Sequence, residues 1–187
     1  MKKHQLFVSV LFIWFGSFIN IAYAASVDDK AVPRDPYTFF FNESWGNLQE
    51  ELITAKEQGK HGVFIFFEQD ECPFCHYVKK NILNQKVVQE YFRKNFLNFP
   101  IDIEGDLEIK NMQGKSMRQK DFSFKEHRVR ATPVLAFFDL SGRRVFRYTG
   151  KPSGVDEFLL MGKFVKNKIY NKMSFTRYKR SQRNKTK

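Results

Sequence analysis

The only two cysteines of the chain stand three residues apart, in Cys72-Pro73-Phe74-Cys75, directly downstream of the apolar run Val63-Phe64-Ile65-Phe66-Phe67. A strand that hands a Cys-x-x-Cys pair to the start of a helix is the core of a thiol/disulfide site, because a helix N-terminus favours the thiolate that attacks. The next residue, His76, allows a second chemistry, since Cys-x-x-Cys-His is also the attachment sequence for c-type haem. That reading asks for a distal ligand, for which Met112, Met117 and Met161 are the candidates. Zinc is a third option, counting Cys72, Cys75, His76 and either His61 or His127. No second Cys-x-x-Cys or His-x3-His completes such a set.

The elements around the pair must decide among these. Residues 47–58 place Leu48, Leu52, Ile53 and Ala55 on one helical face and end at Gly59, with Trp45 as an anchor at the helix start. Residues 61–67 read as a strand buried on both faces, followed by helices over 73–83 and 85–95. A second strand covers 96–103, and 107–112 looks like a short added strand between Gly105 and Gly114. Residues 122–127 suggest a helical turn, with His127 on the surface. Strands 134–138 and 143–148 are joined by the turn Asp139-Leu140-Ser141-Gly142, and 158–169 is the last helix.

This order, with Cys72-Pro73-Phe74-Cys75 after a buried strand, Ala131-Thr132-Pro133 before another, and a closing hairpin with Gly150, resembles the thioredoxin superfamily over about residues 45–168. Phe67-Glu68-Gln69, Asp102-Ile103 and the added hairpin are most similar to exported thioredoxin-like proteins of the sulfur-oxidation (SoxW) type. The resemblance implies an α/β thioredoxin-like fold, a mixed central sheet flanked by helices with a small inserted hairpin. It also implies a cis peptide between Thr132 and Pro133, presenting a backbone edge to which a partner strand pairs. Cys72 would attack and Cys75, one helical turn on, would resolve the mixed disulfide, with no cofactor beyond the Cys72–Cys75 disulfide.

Some residues depart from the cytosolic pattern. Phe66 stands where the family carries a buried acid, and Glu68 is the nearest substitute. Pro73 suits a first helical position, Phe74 sets the dipeptide between the sulfurs, and a protonated His76 would favour the thiolate that Asp70 and Glu71 oppose. The reading is a protein-disulfide reductant recharged by a membrane electron donor, with an oxidase or isomerase as the alternative direction. A non-catalytic binding module is the alternative of another class.

The chain ends bear on location. Lys2 and Lys3, an apolar stretch from Leu6 to about Ile21 and Ala22-Tyr23-Ala24 have the layout of a secretory signal cleaved after Ala24, with an uncleaved anchor as the alternative. Export implies an oxidising compartment, the periplasm, with thiols and disulfides of its proteins as partners. The net charge of +12 resides at the ends: residues 163–187 hold ten Lys and Arg and no acid, while 25–162 balance 20 basic against 20 acidic residues. The organisation read from this is a leader over 25–44, a domain over 45–170, and a basic disordered tail over 171–187 that contacts anionic lipid or an acidic partner. Nucleic acid is not an expected partner of an exported chain. The 22 phenylalanines are read as core.

Overall fold

A computed structural model describes residues 33–184; the signal-like segment lies outside the described residues. In chain order the elements are α1 (Pro36–Phe39), α2 (Leu48–Glu57), β1 (Val63–Glu68), α3 (Pro73–Val78), α4 (Lys86–Asn95) and β2 (Leu97–Asp102). There follow β3 (Glu108–Lys110), β4 (Ser116–Arg118), α5 (Gln119–Asp121), β5 (Val134–Phe138), β6 (Arg144–Thr149), α6 (Val155–Lys166) and α7 (Phe175–Arg183). α3 and α5 each run on into a wider π-type turn, over Lys79–Leu83 and Phe122–Glu126.

All six residues of β1 are buried because β1 is interior to a four-stranded sheet of order β2-β1-β5-β6 and layers cover both its faces. It pairs parallel with β2 and antiparallel with β5, and β5 pairs antiparallel with β6. The period of two then sorts the apolar run. Phe64 and Phe66, with Leu135 and Phe137, face the layer that holds α1, α3, α4 and α6. Val63, Ile65 and Phe67, with Val134, Ala136 and Phe138, face α2 and the turn after α5. On the first side the phenylalanines pack ring on ring, with Phe92 of α4 stacked on Phe158 of α6 at 4.3 Å between centroids. Gly62 opens β1 because a Cβ there would lie 2.0 Å from the Phe138 carbonyl oxygen, and its φ of 149° is strained for any other residue.

Several expectations are corrected. The leader is part of the domain as far as it is described: Asp35 caps α1, and Phe40 and Phe41 are buried beside Phe64 and Phe66. Three consecutive aromatics without helical or strand period hid this, since burial there comes from contacts distant in sequence. Trp45 anchors nothing and is fully exposed. The inserted hairpin is present as expected, β3 with β4 in register Ile109↔Met117, with its first strand confined to Glu108–Lys110. α6 begins at Val155 rather than Phe158. The tail is not a disordered extension through its described length: α7 is a nine-residue helix capped by Ser174, and Phe175 and Tyr178 pack on Phe146 and Phe164. His127 is 8 % exposed rather than on the surface, edge-on to Phe122 and Phe138. No helix among the described residues is long and apolar enough to cross a membrane.

Candidate active site

β1 delivers the chain to the cysteine loop at its C-terminal end, and Cys72 is the N-cap of α3. Its Sγ accepts the Cys75 amide N–H at 3.0 Å, so one of the orphan donors of the helix start is spent on the sulfur. Pro73 occupies the first turn, where its missing N–H leaves nothing unsatisfied. The two sulfurs are joined in a disulfide with Cα atoms 5.2 Å apart. Cys72 retains 5 % exposure and Cys75 none, so only Cys72 has a face open to a partner.

The loop before the pair is held at two points. The ring Nε2 of His76 lies 2.7 Å from the Asp70 carbonyl oxygen, which can only accept, so that nitrogen carries the proton and donates. His76 thus clasps the loop from α3. Gln69 reaches further: its Oε1 accepts the Thr132 hydroxyl at 2.8 Å, and its Nε2 donates to Glu104 Oε1 at 2.8 Å. One side chain therefore ties together the loops that follow β1 and β2 and the loop that precedes β5. The Thr132–Pro133 peptide is cis. Pro133 is buried, its carbonyl accepts the Gly150 amide N–H at 2.9 Å, and Phe67 of β1 pairs with Val134 immediately after it. That pairing sets Pro133 at the β1 end that carries the cysteine loop.

Glu68 occupies the last position of β1 and is 8 % exposed. Two residues on from Phe66, it points into the same layer, because side chains two apart share a strand face. It is not alone there. Lys79 Nζ donates to Glu68 Oε2 at 2.6 Å, and Tyr37 O–H donates to Glu68 Oε1 at 2.9 Å. Lys79 Nζ also donates to the Tyr37 oxygen at 2.9 Å, closing a three-membered ring. Burial pulls the Lys79 ammonium pKa down, but hydrogen bonds to Glu68 and Tyr37 more than offset this and hold it above the ordinary value. Burial raises the Tyr37 phenol. The Lys79 backbone N–H bonds the Cys75 carbonyl, so this charged cluster stands one helical turn from the inner cysteine.

Around the pair the surface carries aromatic rings, Lys151 and the exposed acids Asp70 and Glu71. Phe74 and Tyr77 are exposed, and Lys151 Nζ lies 4.1 Å from the Tyr77 ring centroid. On the Thr132 side, Gln69, Ile103, Glu104, Phe124, Val129 and Arg130 line a cleft of 430 Å³. A second cleft of 530 Å³ runs between α1 and α3 beside Tyr37, His76 and Lys79, and neither cysteine lines it.

The structure thus brings together Cys72, Pro73, Cys75, His76, Thr132 and Pro133, and sets Glu68 behind them. Phe74 lies on the rim. Sequence reasoning missed Gln69 as a tie, although it stands immediately before Asp70 and Glu71, and missed Tyr37 and Lys79. Tyr37 gave no signal, since it meets Glu68 across 31 residues of chain. The histidines counted towards zinc are dispersed: His61 precedes β1 at its far end, and His127 lies in the opposite layer. Of the methionines proposed for haem, Met112 and Met117 also pack in that opposite layer. Met161 is a buried residue of α6.

Residues 48–166 match the family model described as a thioredoxin-like domain. Comparison with curated proteins gave no significant match. Among solved structures, a thioredoxin-fold protein from Helicobacter pylori is similar at 17 % identity and a TM-score of 0.56, over 67 % of this chain and 86 % of that one. A DsbH oxidoreductase is similar at 20 % identity and a TM-score of 0.52, over 76 % of this chain and 96 % of that one. At these identities the likeness is one of fold.

Proposed function

The chain belongs to the thioredoxin-like domain family, and from that membership we propose that it is an exported thiol-disulfide oxidoreductase that reduces disulfides of periplasmic proteins. The observation that carries the reading is the Cys72–Cys75 disulfide at the start of α3, at the β1 end that also holds the cis Thr132–Pro133 peptide.

In the reduced protein the Cys72 thiolate attacks one sulfur of a partner disulfide. A Cys72–partner bond forms, the partner S–S bond breaks, and the second partner sulfur leaves as a thiolate. Cys75 then loses its proton and attacks Cys72 Sγ, which re-forms Cys72–Cys75 and releases the first partner sulfur. Two electrons pass to the partner. The Cys75 proton needs an acceptor in a buried layer, and Glu68, on the same face of β1 and fixed by Tyr37 and Lys79, supports that assignment. Thr132 and Pro133 would pair with the extended partner segment.

The reductive direction rests on electrostatics. The helix N-terminus stabilises the Cys72 thiolate, whereas Asp70 and Glu71 immediately before it oppose that charge, destabilise the reduced form and strengthen the pair as an electron donor. A membrane thiol donor would recharge it. The finer relationship to exported sulfur-oxidation thioredoxins draws on Phe67-Glu68-Gln69 and the inserted hairpin.

Insulin reduction with an external thiol tests the activity. Cys72→Ser should abolish turnover and Cys75→Ser should accumulate a mixed disulfide; activity equal to wild type in Cys72→Ser would leave a binding module instead. A mostly oxidised pair in the cell at steady state would reverse the direction to oxidase.

A further inference from the structure

The C-terminal basic segment is a docked helix with two chemically distinct faces, and this separates two roles that its composition alone merges. At 100° per residue, Phe175, Tyr178, Lys179 and Gln182 fall on one side of α7 and Arg177 and Arg180 on the other, with Arg183 at its edge beside Lys179. The first side is spent on the domain: Phe175 and Tyr178 contact Phe164, and Lys179 pairs with the buried carboxylate of Glu157. The second side is exposed, and among the described residues none of these three arginines shares an ion pair. Lys163 of α6 lines the same cleft as Arg183 and extends the positive field, with Asp156 the exposed acid beside it.

We propose that this arginine face of α7 docks the protein on an anionic lipid surface. Charge complementarity selects the polyanion. A protein interface of ordinary type has an apolar or aromatic centre, whereas this face offers arginines flanked by Thr176 and Asn184, its aromatics being turned inward. A plane of lipid headgroups needs no such centre and attracts each cation near it by about 1 kcal/mol. Read as a signal, residues 1–24 would pass the chain through a membrane, and read as an anchor they would hold it at one. This inference is independent of the redox reading.

Co-sedimentation of the full chain with vesicles tests it, using phosphatidylcholine alone and phosphatidylcholine mixed equally with phosphatidylglycerol. Wild type should partition onto the anionic vesicles more strongly than onto neutral ones. Arg177→Gln/Arg180→Gln/Arg183→Gln should lose on the order of 100-fold of that anionic partitioning, and molar salt should produce a similar loss. A control with Lys56, Lys110 and Lys115 changed to Gln, which places the same loss of charge on α2 and the hairpin, should bind like wild type. Apolar insertion of the N-terminal segment would appear on both vesicle types and cancels in the comparison. Equal partitioning of the arginine variant and wild type, an equal loss in the lysine control, or binding to a duplex oligonucleotide as tight as to anionic vesicles would overturn the proposal.

Discussion

The Thr132 hydroxyl donates to Gln69 Oε1 at 2.8 Å and so joins the residue before the cis proline to the loop that leads into Cys72. Neither residue carries redox chemistry in the proposed mechanism, where the bond would set how the edge proposed to pair with a partner stands relative to Cys72. Gln69→Ala should remove the neutral hydrogen bond from Thr132, worth about 1 kcal/mol, and the bond to the exposed Glu104 carboxylate. We expect KM for a peptide disulfide to rise roughly five-fold, with kcat and the Cys72–Cys75 reduction potential near wild type. A change in potential without a change in KM would assign Gln69 to the sulfurs rather than to partner placement.

Glu68 and Lys79 form a mostly buried pair, and removing one member leaves the other poorly solvated. Glu68→Gln should destabilise the fold by about 1–3 kcal/mol in urea titrations. If Glu68 accepts the Cys75 proton as proposed, the substitution should also slow resolution of the mixed disulfide. Lys79→Met tests the alternative that the effect is only structural: comparable destabilisation with an unchanged pH dependence of resolution would keep Glu68 in its role, and identical kinetic defects in both variants would remove it.

Phe92 is fully buried and stacked on Phe158, with Phe40, Phe64 and Phe137 against its other sides. Phe92→Ala should cost about 3–5 kcal/mol, because the rings around it cannot collapse into the space. Chemical denaturation with near-UV circular dichroism measures it. A loss below about 1 kcal/mol would mean the cluster repacks.

His127 carries a pH dependence. Burial first, and then the charges of Arg144 and Arg147, push its pKa down from 6.5 to about 4. Arg144 and Arg147 also donate to its backbone carbonyl, at 3.0 and 2.9 Å, and Glu126 is the acid nearest its ring. Between about pH 6.5 and 4 the unfolded chain binds a proton that the folded chain does not, so stability falls as pH drops through that window and levels off below it. His127→Phe should flatten the dependence across this interval in thermal melts. An unchanged slope would place the titration elsewhere.

The layout of the candidate site was largely legible in the chain. Cys-x-x-Cys after an apolar run, proline at the first turn and a Thr-Pro before a second apolar run are local patterns, and local patterns follow from backbone geometry that neighbouring residues set. The alternation within Val63–Glu68 was hidden by five apolar residues in succession, and only the layers on both sides of the sheet show which of them the shared face of Phe66 and Glu68 meets. Tertiary structure alone decided what Glu68 meets, because Tyr37 lies 31 residues before it and in a segment with no period of its own. It also decided that Gln69 bridges three loops, that His127 is buried, and that the basic C-terminal segment folds back. Composition reports the charge of residues 163–187. Whether Phe175 and Tyr178 find Phe146 and Phe164 depends on where β6 and α6 stand, and no window of sequence contains that distance.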